Sequence, residues 1–213
     1  MIVPAATPTR LSESERSAID AAVRRVVDDG PWIGGPEVEA FEEEFGARLG
    51  AAAVVGCASG TDALTLALLA LGVAPGETVL VPGHDGGYGA TAARLAGLEP
   101  VPADNDPVTC GPTVATLEAA GPAAAIIVAH LHGDAVDLGP IDAWRRERGM
   151  ALIEDCAQSV TAPGSGLAGD ASAYSFYPTK NLGAMGDAGA VTFADPEAAR
   201  RARSLAQYGW GER

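Results

Sequence analysis

The chain of 213 residues is long enough to form one sizeable domain with a buried core. Its formal net charge of -14 argues against a nucleic-acid or anionic-membrane partner, since both need a basic protein face, and no apolar run reaches the roughly 20 residues of a membrane-spanning helix. The three cysteines lack a CxxC spacing and the N-terminus lacks signal-peptide features, so we expect a cytoplasmic protein with structural thiols and neither disulfides nor zinc.

Short apolar runs alternate with helical patterns along the chain, which indicates an α/β layer fold. Seven runs are predicted as strands, at residues 53–58, 78–82, 99–104, 124–130, 151–156, 171–177 and 190–194. Helices are predicted at residues 12–29, 36–49, 61–72, 86–97, 112–121, 139–149 and 195–207. Because run 124–130 is apolar on both sides, we expect a mostly parallel seven-stranded sheet with helices on both faces.

The first predicted helix has clear start and stop signals. Ser12 with Glu15 three residues later resembles a capping box, and Gly30-Pro31 ends the helical pattern. Residues 1–35 are therefore predicted as an N-terminal helix and arm, and residues 36–213 as the main domain.

The connection between the last two predicted strands carries the most distinctive residue. It has no helical pattern, so it is predicted to be a functional loop or a hairpin-like excursion. It contains Lys180, the only lysine among 14 basic residues. A desolvated lysine amine can lose its proton and form an imine with a carbonyl group, which arginine cannot do. The alternative is that one lysine survived by chance in an arginine-rich coding bias.

An acid pair closes the apolar run 151–156. Glu154 and Asp155 lie at the carboxyl end of this predicted strand, where open α/β sheets bind their ligands, and strand alternation places them on opposite faces. A buried carboxylate there needs a cationic partner, and the protonated pyridine nitrogen of pyridoxal 5'-phosphate (PLP) is one. Either acid could serve, and an ordinary N-cap of the following helix is the alternative.

A third pattern precedes the helix predicted at 61–72. Ser59, Gly60 and Thr61 follow a strand and open that helix, where free backbone N–H groups and the helix dipole can hold a phosphate. Serine and threonine are also ordinary helix caps, so the pattern alone has a structural explanation.

Together these segments resemble a known family. The stretches GPEVEAFEEEF, SGTDALTLAL, IEDCAQ and SFYPTKNLGAMGDAGAV are similar, in this order, to motifs of the DegT/DnrJ/EryC1/StrS family of PLP-dependent sugar aminotransferases. The resemblance implies that residues 36–213 are a fold-type-I, PLP-binding large domain.

The resemblance also implies roles for individual residues. Lys180 would form the Schiff base with PLP and then move the proton between substrate and cofactor, while Asp155 would hold the pyridine nitrogen. Gln158 would meet the ring hydroxyl. The phosphate-binding residues would be Ser59, Gly60, Thr61 and Ser175.

The sequence departs from the family after the second strand. An aromatic residue of the family stacks on the cofactor ring, and YGAT at 88–91 fits the end of that motif, which makes Tyr88 the candidate. The preceding segment GHDGG is two residues longer than usual, so His84 is a rival. His130 and His132 match a turn of the family better than a metal pair, and no metal site is expected.

The family implies a reaction and partners. The amino donor would be glutamate or glutamine, the acceptor a keto group of a nucleotide-linked deoxysugar or a cyclitol, and the assembly a homodimer. Family members continue for well over a hundred further residues, so we expect that the C-terminal small domain is absent here.

Two alternatives remain open at this point. Relatives that dehydrate without transamination carry histidine in place of the lysine, and Lys180 argues against that group. The other alternative is a truncated, catalytically silent subunit or remnant that acts only with a complete partner.

Overall fold

The computed structural model describes residues 11–160 and 162–210. The helices are α1 (Glu13–Asp29), α2 (Pro36–Leu49), α3 (Gly60–Ala70), α4 (Tyr88–Leu95), α5 (Val114–Ala120), α6 (Gly139–Arg146) and α7 (Pro196–Ala206). The strands are β1 (Val54–Cys57), β2 (Thr78–Pro82), β3 (Glu99–Ala103), β4 (Ala125–Ala129), β5 (Ala151–Asp155), β6 (Ala171–Ser175) and β7 (Gly189–Phe193). Every predicted strand and helix has its counterpart, with bounds shifted by a few residues.

All seven strands form one sheet in the order β1-β7-β6-β5-β4-β2-β3. Strand β7 is antiparallel to both of its neighbours, and the remaining neighbours pair in parallel. The prediction of a mostly parallel seven-stranded sheet is confirmed. The connection without a helix joins β6 to β7, which run in opposite directions, so the hairpin-like alternative is the correct one.

Helices cover both faces of the sheet, as predicted. On one face, α3, α4 and α7 pack their small and aliphatic side chains against the sheet around a core that includes Leu64, Ile127, Ile153 and Val191. On the other face, α5 and α6 pack against Leu80, Ile126, Val128 and Leu152. Strand β4 is buried along its whole length because alternate residues enter the two cores.

The N-terminal helices differ in how they contact the sheet. Helix α2 packs through Phe41 and Phe45, whose rings contact Phe176 at centroid distances of 5.3 Å. Helix α1 begins at the predicted capping box of Ser12 and Glu15 and has no buried residue. The division of the chain at residue 35 stays a prediction.

The edge strand β1 is covered by side chains rather than by another strand. The Glu42 carboxylate accepts the N–H of Gly56 at 2.7 Å, and Arg203 donates to the carbonyl oxygen of Val54 at 2.9 Å and to Glu42 at 2.6 Å. These bonds satisfy edge groups that would otherwise pair with a foreign strand. Within the described residues, no helix has the length and apolar character needed to cross a bilayer.

Candidate active site

The predicted site residues collect at the carboxyl edge of the parallel strands. β5 ends at Asp155 and β6 ends at Ser175, so these neighbouring strands deliver both side chains to the same edge. Lys180 follows on the connection to β7, and the N-terminus of α3 lies against the end of β6. This edge is where open α/β sheets bind ligands.

Asp155 is the buried carboxylate of this edge. Its Oδ1 atom accepts the backbone N–H of Ala157 at 2.9 Å, and within residues 11–160 and 162–210 its Oδ2 atom has no hydrogen-bond donor. Burial raises the pKa of Asp155 and a nearby negative charge on Asp85 adds to the rise, while the hydrogen bond from Ala157 and the charge of Lys180 oppose it. A buried acid of this kind is stabilised by any cation that binds at its free oxygen.

Glu154, on the opposite face of β5, is fully engaged in holding a loop. Its carboxylate accepts four hydrogen bonds from the segment 166–172, from the N–H groups of Gly166, Ala168 and Gly169 and the hydroxyl of Ser172, at 2.7 to 3.2 Å. The imidazole of His130 lies 2.8 Å away. Burial alone would raise the pKa of Glu154, but these hydrogen bonds outweigh it and lower the pKa. Of the two acids, only Asp155 keeps an oxygen for a ligand.

Lys180 sits in a tight turn at the start of the β6–β7 connection. Its backbone N–H donates to the carbonyl oxygen of Tyr177 at 2.8 Å, and the loop is closed further by the N–H of Ala184, which donates to Phe176 at 2.7 Å. The side chain is half-buried, and its charge lowers the pKa of Asp155. The only lysine therefore lies within electrostatic range of the carboxylate whose Oδ2 atom has no donor among the described residues.

The start of α3 meets the end of β6 without any spacer. An added Cβ atom at Gly60 would lie 2.7 Å from the Cβ atom of Ser175. The Ser59 hydroxyl caps the helix by accepting the N–H of Asp62 at 3.1 Å, whereas the N–H groups of Gly60 and Thr61 have no partner within the described chain. Two free N–H groups and the Ser175 hydroxyl are thus brought together, as a bound anion requires.

Gln158 is tied to the turn that follows β4. Its Oε1 atom accepts the backbone N–H of His132 at 2.7 Å, so its NH₂ group is left to bind a ligand. The residue is three positions after Asp155 and exposed at the same edge.

Tyr88 and His84 both lie in the connection from β2 to α4. Tyr88 is the first residue of α4, is 57% exposed, and its ring lies over Gly86. His84 is exposed in the loop. No contact within the described chain distinguishes them, and the choice of a stacking residue stays a prediction.

Sequence reasoning missed Asp85, which lies between these two residues. Its Oδ1 atom accepts the N–H of Gly87 at 2.5 Å, and its charge raises the pKa of Asp155. From the sequence, the glycine-rich segment around Asp85 indicates only a longer loop. An acid within that segment was the available signal, but its distance from Asp155 depends on the pairing of strands far apart in sequence.

A buried cluster beneath the site has the composition of a metal site. The ligand-type atoms of His130, Glu154 and Cys156 lie within 4.8 Å of one another. Nδ1 of His130 accepts the N–H of Val136 at 3.0 Å, so the ring proton is on Nε2, which donates to Glu154 and cannot bind a cation. Burial also raises the pKa of the Cys156 thiol well above its usual value. The cluster is a hydrogen-bond network.

Known proteins share this fold and these motifs. The family model described as the DegT/DnrJ/EryC1/StrS aminotransferase family matches residues 13–213. The chain belongs to this family. Aminotransferases of the DegT/DnrJ/EryC1/StrS family are PLP-dependent in general.

Two curated relatives illustrate the family. The erythromycin biosynthesis sensory transduction protein EryC1 of Saccharopolyspora erythraea is 44% identical over 91% of this chain and 55% of its own length. The dTDP-3-amino-3,4,6-trideoxy-alpha-D-glucose transaminase of Streptomyces venezuelae is 39% identical over 92% of this chain and 54% of its own length. The chain spans about half the length of the curated relatives that it matches.

Solved structures of the family superpose closely on the fold. S. venezuelae DesV in complex with a ketimine intermediate gives a TM-score of 0.91, with 37% identity over 99% of this chain and 58% of DesV. Bacillus subtilis NtdA with bound cofactor PMP gives a TM-score of 0.88, with 30% identity over 95% of this chain and 47% of NtdA. The prediction of the family and of its α/β fold is therefore confirmed.

Proposed function

We propose that the protein is a PLP-dependent aminotransferase that moves an amino group from glutamate or glutamine to a keto group of a nucleotide-linked deoxysugar or a cyclitol. The observation that carries this proposal is the grouping of Lys180 with Asp155, whose Oδ2 atom has no donor in the described part of the chain. The transaminase relative from S. venezuelae acts on a dTDP-linked amino sugar, which supports the class of acceptor. No specific observation favours a catalytically silent subunit.

The residues fit PLP at two points. The Oδ2 atom of the buried Asp155, which has no donor among the described residues, suits a protonated pyridine nitrogen, because burial makes an isolated carboxylate costly. The N–H groups of Gly60 and Thr61 with the Ser175 hydroxyl suit a phosphate, since the N-terminus of a helix favours anions. The missing Cβ atom at Gly60 is what allows these donors to converge.

The site residues then have distinct roles in binding PLP and in moving protons. PLP, when bound, supplies an electron sink for negative charge that develops at the substrate carbon. Lys180 would hold the cofactor through Nζ and would carry the proton to and from that carbon. Asp155 would keep the ring nitrogen protonated, Gln158 would donate to the ring oxygen, and Tyr88 would cover the ring.

The phosphate would be held by the N-terminus of α3 together with the last residue of β6. Ser59 fixes the first turn of the helix through its bond to Asp62, and Gly60, Thr61 and Ser175 supply the donors. A protein with a net charge of -14 can bind a phosphate in this way because the helix dipole and N–H groups act locally.

Labelling of Lys180 tests the proposal. The complete protein mixed with PLP should gain a visible absorbance band, and borohydride reduction followed by mass spectrometry should locate the cofactor on Lys180. Lys180→Arg keeps the positive charge but cannot form the covalent link, so it should lose the band and the label. If the unmodified protein acquires no label at Lys180, the proposed function is wrong. Amino transfer from glutamate to dTDP-linked and UDP-linked keto sugars then identifies the acceptor.

We further propose a homodimer in the cytoplasm. An apolar groove of about 1210 Å³ runs beside the N-terminus of α3, and Trp32, Ile33 and Leu182 line it with exposed side chains. A second copy would bury these side chains by an isologous contact. Light scattering of the complete protein should give twice the chain mass. A monomer would refute the dimer.

A further inference from the structure

The turn after β4, residues 130–136, is stabilised by the side chain of His130, its first residue. The N–H of Val136 donates to Nδ1 of His130 at 3.0 Å, while Nε2 donates to Glu154 at 2.8 Å. The backbone N–H of His130 also donates to the carbonyl oxygen of Asp155 at 3.1 Å. Because His130 is 1% exposed, its ring is a fixed link between β5 and the turn.

The turn holds one residue in an uncommon backbone conformation. His132 has φ 59° and ψ 10°, in the left-handed region that non-glycine residues seldom adopt. Such a conformation persists where the surroundings over-determine it. Here it aims the N–H of His132 at the Oε1 atom of Gln158, 2.7 Å away. The amide of Gln158 therefore has its oxygen occupied and its NH₂ group free.

We propose that His130 is a positioning residue, which acts through Val136 and the turn so that Gln158 presents its NH₂ group to the ring oxygen of PLP. This inference rests on the proposed function, since the cofactor must be bound for Gln158 to act. The ring oxygen of PLP carries negative charge when the hydroxyl is ionised. A donor stabilises that oxygen, whereas the amide oxygen of a rotated Gln158 would repel it.

The proposal predicts an effect on the proton held at Nζ of Lys180. A donor disperses the negative charge of the ring oxygen, so the neighbouring nitrogen holds its proton less tightly. Loss of the donor raises the pH midpoint at which the visible absorbance of the PLP-loaded protein changes. Asp85 and Asp155, which also lie at this edge, are unchanged in all variants. They therefore do not contribute to a difference in the pH midpoint between variants.

Two substitutions of His130 test the hydrogen bonds of its two ring nitrogens one at a time. His130→Asn keeps an acceptor at the position of Nδ1 and loses the bond to Glu154, whereas His130→Gln keeps a donor near Nε2 and loses the acceptor for Val136. We expect His130→Asn to retain the midpoint of the unmodified protein. His130→Gln should raise it by about half a pH unit or more, and Gln158→Ala by about one pH unit.

The double variant shows whether His130 acts through Gln158. His130→Gln should add nothing to the midpoint in the Gln158→Ala background, and thermal unfolding of each variant should confirm a cooperative fold. An unchanged midpoint in His130→Gln, equal shifts in both His130 variants, or additive shifts in the double variant would each overturn the inference. The proposed function fails separately, through absence of the PLP label on Lys180 in the unmodified protein.

Discussion

Gly60 and Ser175 are in direct contact, which joins the first turn of α3 to the last residue of β6. No space exists for a side chain at Gly60, because its Cβ atom would lie 2.7 Å from the Cβ atom of Ser175. Gly189, paired with Ser175 in the sheet, is similarly packed against the backbone of Ser59 and Gly60. Three elements thus meet where we propose that the phosphate binds.

Gly60→Ala should therefore weaken cofactor binding as well as the stability of the fold. The added methyl group pushes α3 away from β6, so the N–H donors and the Ser175 hydroxyl no longer converge. We expect the Kd for PLP to rise about tenfold or more, with an overpacking cost of about 1–3 kcal/mol in the free energy of unfolding. Gly56→Ala is the control, since its Cβ atom would meet ordinary contacts of 3.5 Å and longer. Equal Kd values for the two variants would contradict the proposed phosphate site.

Asp155→Asn should separate stability from activity. The raised pKa of Asp155 means that its ionised form costs stability as pH rises above the ordinary value of about 3.8. Asparagine removes this cost and can keep the bond to the N–H of Ala157, so the melting temperature without cofactor at neutral pH should rise by about 2–4 °C per kcal/mol recovered. Transamination should fall by at least about a hundredfold, because a neutral amide cannot hold the ring nitrogen protonated. The exposed control Asp104→Asn should change neither the melting temperature nor the rate of transamination. A lower melting temperature for Asp155→Asn would contradict the prediction.

The stacking residue is tested by three substitutions after β2. Tyr88→Ala should raise the Kd for PLP about tenfold, the loss expected of a stacked ring worth about 1–1.5 kcal/mol. Tyr88→Phe should preserve binding because the ring remains. His84→Ala should leave the Kd unchanged, and the reverse pattern would assign the contact to His84. Fluorescence titration with PLP measures all three.

The fold could be predicted from the sequence because apolar runs and helical patterns, which are local signals, are sufficient to locate strands and helices. The apolar runs locate all seven strands. The absence of a helix pattern before β7 argues against a standard crossover there, and β6 and β7 are indeed antiparallel. The errors lie at element ends. Helix α4 begins at Tyr88 rather than at residue 86, because Gly87 has a left-handed φ of 78° and ends the loop there. Helix α5 begins after Thr113, whose side chain caps it.

Long-range contacts account for what the sequence alone left open. Alternation places Glu154 and Asp155 on opposite faces but does not say which one faces a ligand. That choice follows from the loop 166–169, which folds over Glu154, and from Asp85, which a different strand brings near Asp155. Neither relationship has a periodic signature in the sequence, so periodicity does not distinguish the two acids. The family resemblance implies Asp155, and the folded chain supplies the physical difference between the two.

Glu154 is accordingly predicted to be a stability residue. Its two carboxylate oxygens accept at least five hydrogen bonds, so an amide in its place would set an NH₂ group against other donors. Glu154→Gln should lower the free energy of unfolding by about 3 kcal/mol at neutral pH, measured by urea denaturation. Glu147→Gln, at a side chain that is 79% exposed, is the matched control and should be nearly neutral.

The pH dependence of the stability lost in Glu154→Gln tests whether that loss is due to the charge of the Glu154 carboxylate. Because the pKa of Glu154 is lowered in the fold, the stability that its carboxylate contributes is complete above the ordinary value of about 4.5 and is lost as pH falls through the lowered pKa. The difference between the unmodified protein and Glu154→Gln should therefore stay constant from about pH 8 to pH 5 and narrow only below that range. A difference that already narrows between pH 7 and pH 5 would show that Glu154 is protonated there, and that the loop 166–169 does not hold a carboxylate.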